Sequence, residues 1–162
     1  MTQHLYCDGG VIGHNPSRKG GTWAWKRIDD SDNSVQTNFG ILRPDMMNLR
    51  EITNNISEFY AVLNGLRYLP DDWRGIIYSD SQVTLGRIFK GWQMNNIPVK
   101  MQVQLKQEQE RLVNWKKIAH VLLQGHPTKK ELACGVGKNG CAVSEYQVWC
   151  DLKCQELSKS YE

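Results

Sequence analysis

Residues 53–80 read TNNISEFYAVLNGLRYLPDDWRGIIYSD. Within this stretch, apolar residues recur at spacings of three and four, at Phe59, Val62, Leu63, Leu66 and Leu69. The spacing predicts a helix with one apolar face, which Pro70 ends. The short apolar run Gly75–Ser79 predicts a strand that stops at Asp80. A helix followed by such a strand indicates a crossover connection and parallel strand pairing.

The sequence before this stretch predicts three strands separated by turn residues. His4–Cys7 is a short strand that ends at Asp8–Gly10, and Thr22–Ile28 and Val35–Leu42 are the next two strands. Their close succession is typical of an antiparallel meander.

The sequence after Asp80 returns to alternating helices and strands. The predicted elements are a helix over 82–90, an irregular stretch over 91–98, a helix over 99–114, a strand over 118–123, a loop rich in Gly and Lys over 128–142, and a helix over 144–157 with Ser144 as its N-cap. We therefore expect an α/β fold with a five-stranded mixed sheet, three antiparallel strands followed by parallel ones. No linker or repeat interrupts the chain, so we expect one domain over residues 1–162.

Composition excludes two broad classes of protein. The 162 residues are 40% hydrophobic and carry a net charge of +3, which is unlike a disordered chain. No apolar run approaches the roughly 18 residues of a membrane span. The N-terminus lacks the basic head and apolar core of a secretory signal, so we expect a cytoplasmic protein whose five cysteines are reduced thiols.

Charge is concentrated in one part of the chain. Residues 86–138 hold ten basic and three acidic side chains, a net charge of +7, whereas the rest of the chain carries −4. Such a basic stretch suggests an anionic partner, nucleic acid first, although a solvated lysine-rich helix surface would give the same pattern.

Three carboxylates occupy positions that suit metal chemistry. Asp8 and Asp80 end predicted strands, and Glu58 lies near the start of the helix between them. If the two strands are neighbours, all three acids meet at one crevice, where they repel each other unless a divalent cation is bound. Oxygen ligands suit Mg²⁺, and a pair of such ions can hydrolyse a phosphodiester. Taken singly, each acid is equally typical of a turn or a helix first turn.

Several short motifs, taken together, resemble those of one enzyme family. The motifs are Tyr6-Cys-Asp8-Gly-Gly, Asn15-Pro16, Thr53-Asn-Asn-Ile-Ser-Glu58, Tyr78-Ser-Asp80-Ser-Gln82, Gly91-Trp92, Pro98-Val99-Lys100, Gly125-His126-Pro127 and Val148-Trp-Cys-Asp151. Their order and separations resemble type 1 ribonuclease H over nearly the whole chain. The resemblance implies a ribonuclease H-like fold with helices on both faces of the sheet.

The same resemblance implies an activity and a set of site residues. It implies a metal-dependent endonuclease, a monomer, that hydrolyses the RNA strand of RNA–DNA hybrids with two metal ions and leaves 5′-phosphate and 3′-hydroxyl ends. Asp8, Glu58, Asp80 and Asp151 would hold two Mg²⁺, with Mn²⁺ as a substitute, and His126 would assist proton transfer or product release. Thr53 and Asn54 would contact the DNA strand, and Asn15, Asn55 and Gln82 would read the minor groove and the ribose 2′-hydroxyls. Trp92 is expected to stack on a sugar or base, and Lys100 to contribute affinity.

The sequence departs from the family at three places. Gly10 stands where Ser is common, which we expect to cost little. The region between Trp92 and Lys100, where bacterial members often carry a lysine-rich helix, contains neither Lys nor Arg. His126 and Asp151 are separated by an insertion, about residues 129–143, which we call the insertion segment. Its glycines and lysines predict a flexible lid that carries His126, the alternative being a surface loop held by helix packing.

Other interpretations stay open at the level of sequence. Cys134, Cys141, Cys150 and Cys154 lack the spacing of common zinc modules, but one zinc ion joining the last helix to the insertion segment is an alternative to free thiols. A nuclease of the same fold acting on DNA, resolvase-like or exonuclease-like, is an alternative function. A catalytically weak nucleic-acid-binding module is another, although the presence of all four acids disfavours it.

Overall fold

The fold is a five-stranded sheet with helices on both faces, as the sequence predicts. The computed structural model describes residues 2–161. The strands are β1 (Gln3–Val11), β2 (Gly21–Ile28), β3 (Ser34–Leu42), β4 (Gly75–Ser79) and β5 (Ala119–Leu122). They lie in the order β3-β2-β1-β4-β5, with antiparallel pairing among β1, β2 and β3 and parallel pairing of β4 with β1 and β5.

Five helices within residues 2–161 complete the architecture. They are α1 (Asn54–Arg67), α2 (Gln82–Phe89), α3 (Val99–Arg111), α4 (Lys129–Cys134) and α5 (Glu145–Ser160), with short 3-10 turns at Pro44–Met47, Trp115–Lys117 and Lys138–Gly140. The hydroxyls of Thr53, Ser81 and Ser144 accept hydrogen bonds from the first turns of α1, α2 and α5. No helix in residues 2–161 is both long and apolar enough to cross a bilayer.

The two faces of the sheet have separate cores. On one face, side chains such as Leu5 and Trp25 pack against the apolar side of α1, with Met101 and Leu105 of α3 in the same cluster. On the other face, Tyr6 and Ala24 pack against α5. Successive side chains of β1 point to opposite faces of the sheet, so they pack against different helices.

The helix predicted over 99–114 is three residues too long. It ends at Arg111 because Leu112 is buried and the next amide, that of Val113, donates to the Asp71 carbonyl at 3.0 Å. The chain therefore leaves the helix to join the loop between α1 and β4.

The strand β1 ends later than the sequence predicts. Its parallel pairing with β4 stops at Tyr6 and Tyr78, whereas its antiparallel pairing with β2 continues to Val11 and Gly21. Asp8 therefore lies inside a strand, beyond the last residue paired with β4. The glycines after Asp8, which carry a turn signal in the sequence, are strand residues.

The prediction of a loop over 128–142 is wrong, because the insertion segment contains secondary structure. It contains α4, which begins with a capping box: the side chains of Thr128 and Glu131 each accept a hydrogen bond from the other residue's backbone amide. It then returns to the sheet, where Ala142 bridges both Leu123 and Val136. The segment is tied to the end of β5 rather than extending freely into solvent.

Candidate active site and substrate groove

The site is built where the backbone of β1 touches that of α1. A β-carbon on Gly9 would lie 2.4 Å from the carbonyl carbon of Ser57 and 2.5 Å from the amide nitrogen of Glu58. Only glycine permits this approach. The contact brings Asp8, the residue before Gly9, next to Glu58 on the first turns of α1.

Three carboxylates converge at this point, and we call Asp8, Glu58 and Asp80 the acidic cluster. One oxygen of each lies within 4.8 Å of one oxygen of the other two. Asp8 is 3% exposed, and Oε2 of Glu58 is buried with no hydrogen-bond partner among the described residues. No Lys or Arg in residues 2–161 forms a salt bridge to any of the three.

The electrostatics of the acidic cluster favour a bound cation. Burial, followed by the charges of Glu58 and Asp80, raises the pKa of Asp8 well above its ordinary value. Burial and the charge of Asp80 likewise raise the pKa of Glu58 well above the usual range, and burial raises that of Asp80. A hard divalent cation would relieve this repulsion and satisfy the unpaired oxygen, so the residues present fit such an ion.

Asp151 lies beside the acidic cluster rather than within it. It stands on α5, and its charge contributes to raising the pKa of Asp8, Glu58 and Asp80. One of its oxygens, Oδ2, lies 3.2 Å from Nδ1 of His126, whose imidazole is 75% exposed. Despite the insertion segment between them in sequence, the structure brings His126 and Asp151 together.

Four of the predicted substrate-binding residues line a single cavity. Asn15, Thr53, Asn54 and Asn55 border a groove of about 460 Å³ at the N-terminus of α1. Oδ1 of Asn15 accepts a hydrogen bond of 3.1 Å from the Asn54 amide, which ties the β1–β2 loop to the helix start. We call this the amide groove, and its other polar lining residues are Arg87, Asn95 and Asn96.

Arg87 is a groove residue that sequence reasoning missed. It is only 9% exposed, and its guanidinium donates to the carbonyls of Gln93 and Asn95 at 3.1 Å each. Its Nη1 is buried with no hydrogen-bond partner among the described residues. In the sequence, Arg87 is one of ten basic residues in a charged stretch, and only its place beside the apolar Leu85 and Ile88 hints at burial.

The other predicted substrate residues do not line the amide groove. Gln82 is exposed at the first position of α2, and Lys100 is exposed in the first turn of α3. The Trp92 ring packs on α2, since a β-carbon on Gly86 would lie 2.1 Å from it, and the side chain is 40% exposed. The ammonium of Lys90 lies 5.8 Å from the ring centroid, and the 40% exposure of the side chain leaves part of the ring open for stacking.

The cysteines do not form a zinc site. Cys150 and Cys154 are buried on α5, with their sulfurs 3.5 Å from the Tyr6 carbonyl oxygen and 3.6 Å from that of Asp8. Cys134 is exposed on α4, and Cys141 is partly buried in the insertion segment. Within residues 2–161, the acidic cluster alone brings three or more potential metal ligands together. The interpretation as free thiols is therefore supported.

The sequence of residues 2–133 matches the model of the RNase H family. The chain belongs to the RNase H family. No curated protein matches it by sequence. The prediction that the chain is a ribonuclease H is thus confirmed by the family match, and the acidic cluster supplies the residues for the divalent metal that this family requires.

Solved structures of RNase H proteins share this fold at low sequence identity. LC11-RNase H1, isolated from compost by a metagenomic approach, is 15% identical, with a TM-score of 0.68 over 98% of this chain and 96% of that one. The same enzyme in complex with an RNA/DNA hybrid gives a TM-score of 0.67 at 15% identity over 98% of both chains. RNase H1 from the halophilic archaeon Halobacterium salinarum NRC-1 is 16% identical, with a TM-score of 0.65 over 99% of both chains. The predicted fold class is confirmed.

Proposed function

We propose that this RNase H-family chain hydrolyses the RNA strand of RNA–DNA hybrids and leaves 5′-phosphate and 3′-hydroxyl ends. The observation that carries this proposal is the acidic cluster, with its buried, unpaired Glu58 oxygen. Asp8, Glu58, Asp80 and Asp151 would hold two Mg²⁺, for which Mn²⁺ could substitute. When bound, these ions would supply an activated water and stabilise the leaving oxygen of the phosphodiester.

The amide groove supports recognition of a hybrid. Amide side chains both donate and accept hydrogen bonds, which suits contacts to base edges and 2′-hydroxyls in a minor groove. We assign these contacts to Asn15 and Asn55, and to Gln82 two residues beyond Asp80. Thr53 and Asn54 would contact the DNA strand beside them, and Arg87 adds a positive charge to the same groove.

His126 is assigned a role after bond cleavage. Its imidazole is exposed and lies beside Asp151, at the edge of the acidic cluster. This position suits a group that exchanges protons with solvent or loosens the product from the site. Trp92 and Lys100 would extend the contact surface along the duplex, with Trp92 stacking on a sugar or base.

A cleavage assay tests the proposal directly. Labelled RNA–DNA hybrid, double-stranded DNA and double-stranded RNA are each incubated with the protein, with EDTA, with Mg²⁺ or with Mn²⁺. We expect cleavage of the RNA strand of the hybrid alone, and only with metal. Cleavage of double-stranded DNA would favour the resolvase-like or exonuclease-like alternative, and binding of the hybrid without cleavage would favour the binding module. Asp80→Asn is the control for a contaminating nuclease.

We also propose that the chain acts as a monomer in the cytoplasm. Light scattering during gel filtration would test the first part, with the mass of one chain expected at micromolar concentration. Fluorescence microscopy of a tagged chain would test the second.

A further inference from the structure

One side chain, Gln124, ties the insertion segment to the sheet. Its Nε2 donates to Oε1 of Glu131 at 3.0 Å, and its Oε1 accepts from the amide of Lys138. Its own amide donates to the carbonyl of Ala142 at 2.9 Å. One residue at the end of β5 thus bonds α4, the following 3-10 turn and the returning chain.

The insertion segment approaches the Gln124 side chain at Gly137, beside a cavity of about 330 Å³ that Gln124, Glu131 and Lys138 help to line. A β-carbon on Gly137 would lie 2.0 Å from Oε1 of Gln124, so the insertion segment approaches this side chain closely. Glu131 also accepts a hydrogen bond of 2.9 Å from the amide of Thr128. The same carboxylate therefore joins Gln124 to Thr128, the residues on either side of the His126 loop.

The loop between Gln124 and Thr128 lies close to the active site. A β-carbon on Gly125 would lie 2.8 Å from Oδ2 of Asp80, so the loop backbone approaches the acidic cluster. His126 adopts a left-handed conformation with φ of 49°, which a non-glycine residue holds only when its surroundings fix it. Its Nδ1 lies 3.2 Å from Asp151.

We propose that Gln124 is a positioning residue that holds His126 against Asp151, and that the insertion segment is a rigid support for the His126 loop rather than a lid. The proposal rests on the function proposed above only where it links the position of His126 to the rate of turnover. It replaces the flexible lid that the glycines and lysines of this segment predict. In this role the side chain acts through His126, and its hydrogen bonds go to Glu131 and Lys138 rather than to any of the four acids.

A double-mutant cycle tests this role. Gln124→Leu keeps the size of the side chain but removes its hydrogen bonds, and we expect it to lower steady-state kcat about as much as His126→Ala does, several-fold. Added to His126→Ala, it should have no further effect, because the residue it positions is gone. Equal losses in both backgrounds would mean a structural role only, and would overturn the proposal. Gln109→Leu, which removes a bond of 3.2 Å to the Ile88 carbonyl, is the matched control.

A swap of the two bonded groups gives a second test. Gln124→Glu alone places a carboxylate against Glu131 and should lower kcat as Gln124→Leu does. Combined with Glu131→Gln, it restores one amide and one carboxylate at the same two positions, and we expect kcat to recover. Failure to recover, with the melting temperature of the double variant equal to that of the wild type, would contradict the proposal.

The order of the loop can be measured without any activity. In wild-type protein we expect backbone amide order parameters at Gly125 and His126 near the rigid value of about 0.85, falling below about 0.6 in Gln124→Leu. If the wild type cleaves no hybrid but this fall is seen, the proposed function fails while the positioning role stands. A loop that is already mobile in the wild type would overturn the proposal whatever the activity.

Discussion

The acidic cluster and the amide groove both start from the first two turns of α1, yet they are built in opposite ways. The acidic cluster places like charges together with a buried oxygen that lacks a partner in the described chain. In the amide groove, Thr53 and Asn15 already bond the helix amides, and Arg87 already bonds two carbonyls. The proposed chemistry thus lies where side chains repel one another, and the proposed recognition lies where side chains hold neighbouring parts of the fold together.

The largest effect is expected from removing a charge in the acidic cluster. Asp80→Asn and Asp8→Asn should each lower kcat about a thousandfold or more, because metal stabilisation of the reacting phosphate is worth several kcal/mol and about 1.4 kcal/mol is tenfold. The melting temperature should stay level or rise, since repulsion among the acids falls. Single-turnover cleavage and thermal melting are the two measurements. A large drop in melting temperature for both variants would show that the acids are structural.

Metal removal should lower the stability of the folded chain, and the size of the loss should depend on pH. The folded chain holds its carboxyl protons to higher pH than the unfolded chain, because the pKa values of Asp8, Glu58 and Asp80 are raised. In EDTA, the free energy of unfolding should therefore fall as the pH rises from about 4 through the raised pKa values.

Mg²⁺ binds the deprotonated cluster, so the rise in melting temperature that it causes should grow over the same pH range. At one hundred times its Kd the ion would contribute about 2.7 kcal/mol. Calorimetry with and without Mg²⁺ measures both trends, and Asp8→Asn should flatten them. A melting temperature that millimolar Mg²⁺ leaves unchanged at every pH would contradict the metal assignment.

The amide groove should show the reverse pattern, a loss of affinity and stability with little change in chemistry. Arg87→Lys keeps the charge but cannot bond the carbonyls of Gln93 and Asn95 together. We expect the melting temperature to fall, because a charge-assisted hydrogen bond is worth about 1.5–3 kcal/mol, and KM to rise as the loop that carries Asn95 loosens, with kcat nearly unchanged. Arg111→Lys is the control, because Arg111 bonds the carbonyls of Leu66, in the last turn of α1, and Leu69, just beyond the helix. Equal effects on KM from both variants would show that the amide groove has no particular role in substrate affinity.

The smallest effect is expected on the exposed lysines of α3. Replacing Lys100 and Lys106 by Ala should raise KM a few-fold and lower the slope of log K against log salt by about one for each phosphate that a lysine no longer neutralises. Fluorescence anisotropy with a labelled hybrid gives the slope, and Lys153→Ala on α5 is the control for the loss of a single positive charge away from α3. A loss in kcat with KM unchanged would refute a role in substrate affinity.

The elements with strong local signals could be predicted from the sequence. The bounds of β4 are as predicted because Gly75 and Asp80 delimit a short apolar run, and the N-cap of α5 is as predicted because Ser144 precedes the helix. The acids could be placed together because strand ends in a parallel arrangement meet. The prediction that the strand stops at Asp8 is wrong, because β1 goes on pairing with β2 after its pairing with β4 has ended.

The insertion segment and Arg87 could not be predicted, for related reasons. Thr128 and Glu131 carry a capping-box signal, but α4 has only six residues, and no apolar period reveals that it packs on anything. The segment is bonded by Gln124, which lies outside α4 and carries no signal for this contact in the sequence. Arg87 is likewise defined by carbonyls of a loop that follows it, so its charge alone wrongly indicates a surface residue.

The position of α5 along the chain has a consequence for the time at which the four acids come together. The side chain of Gln147 donates to the carbonyl of Cys7 at 2.7 Å, a contact between the first strand and the last helix. At about 5–20 residues per second, roughly ten seconds of synthesis separate Asp8 from Asp151. During that interval the α5 side of β1 is uncovered, and the acidic cluster lacks its neighbouring carboxylate. A nascent chain therefore holds Asp8, Glu58 and Asp80 before it holds Asp151, and the four acids come together only when the last helix docks on β1.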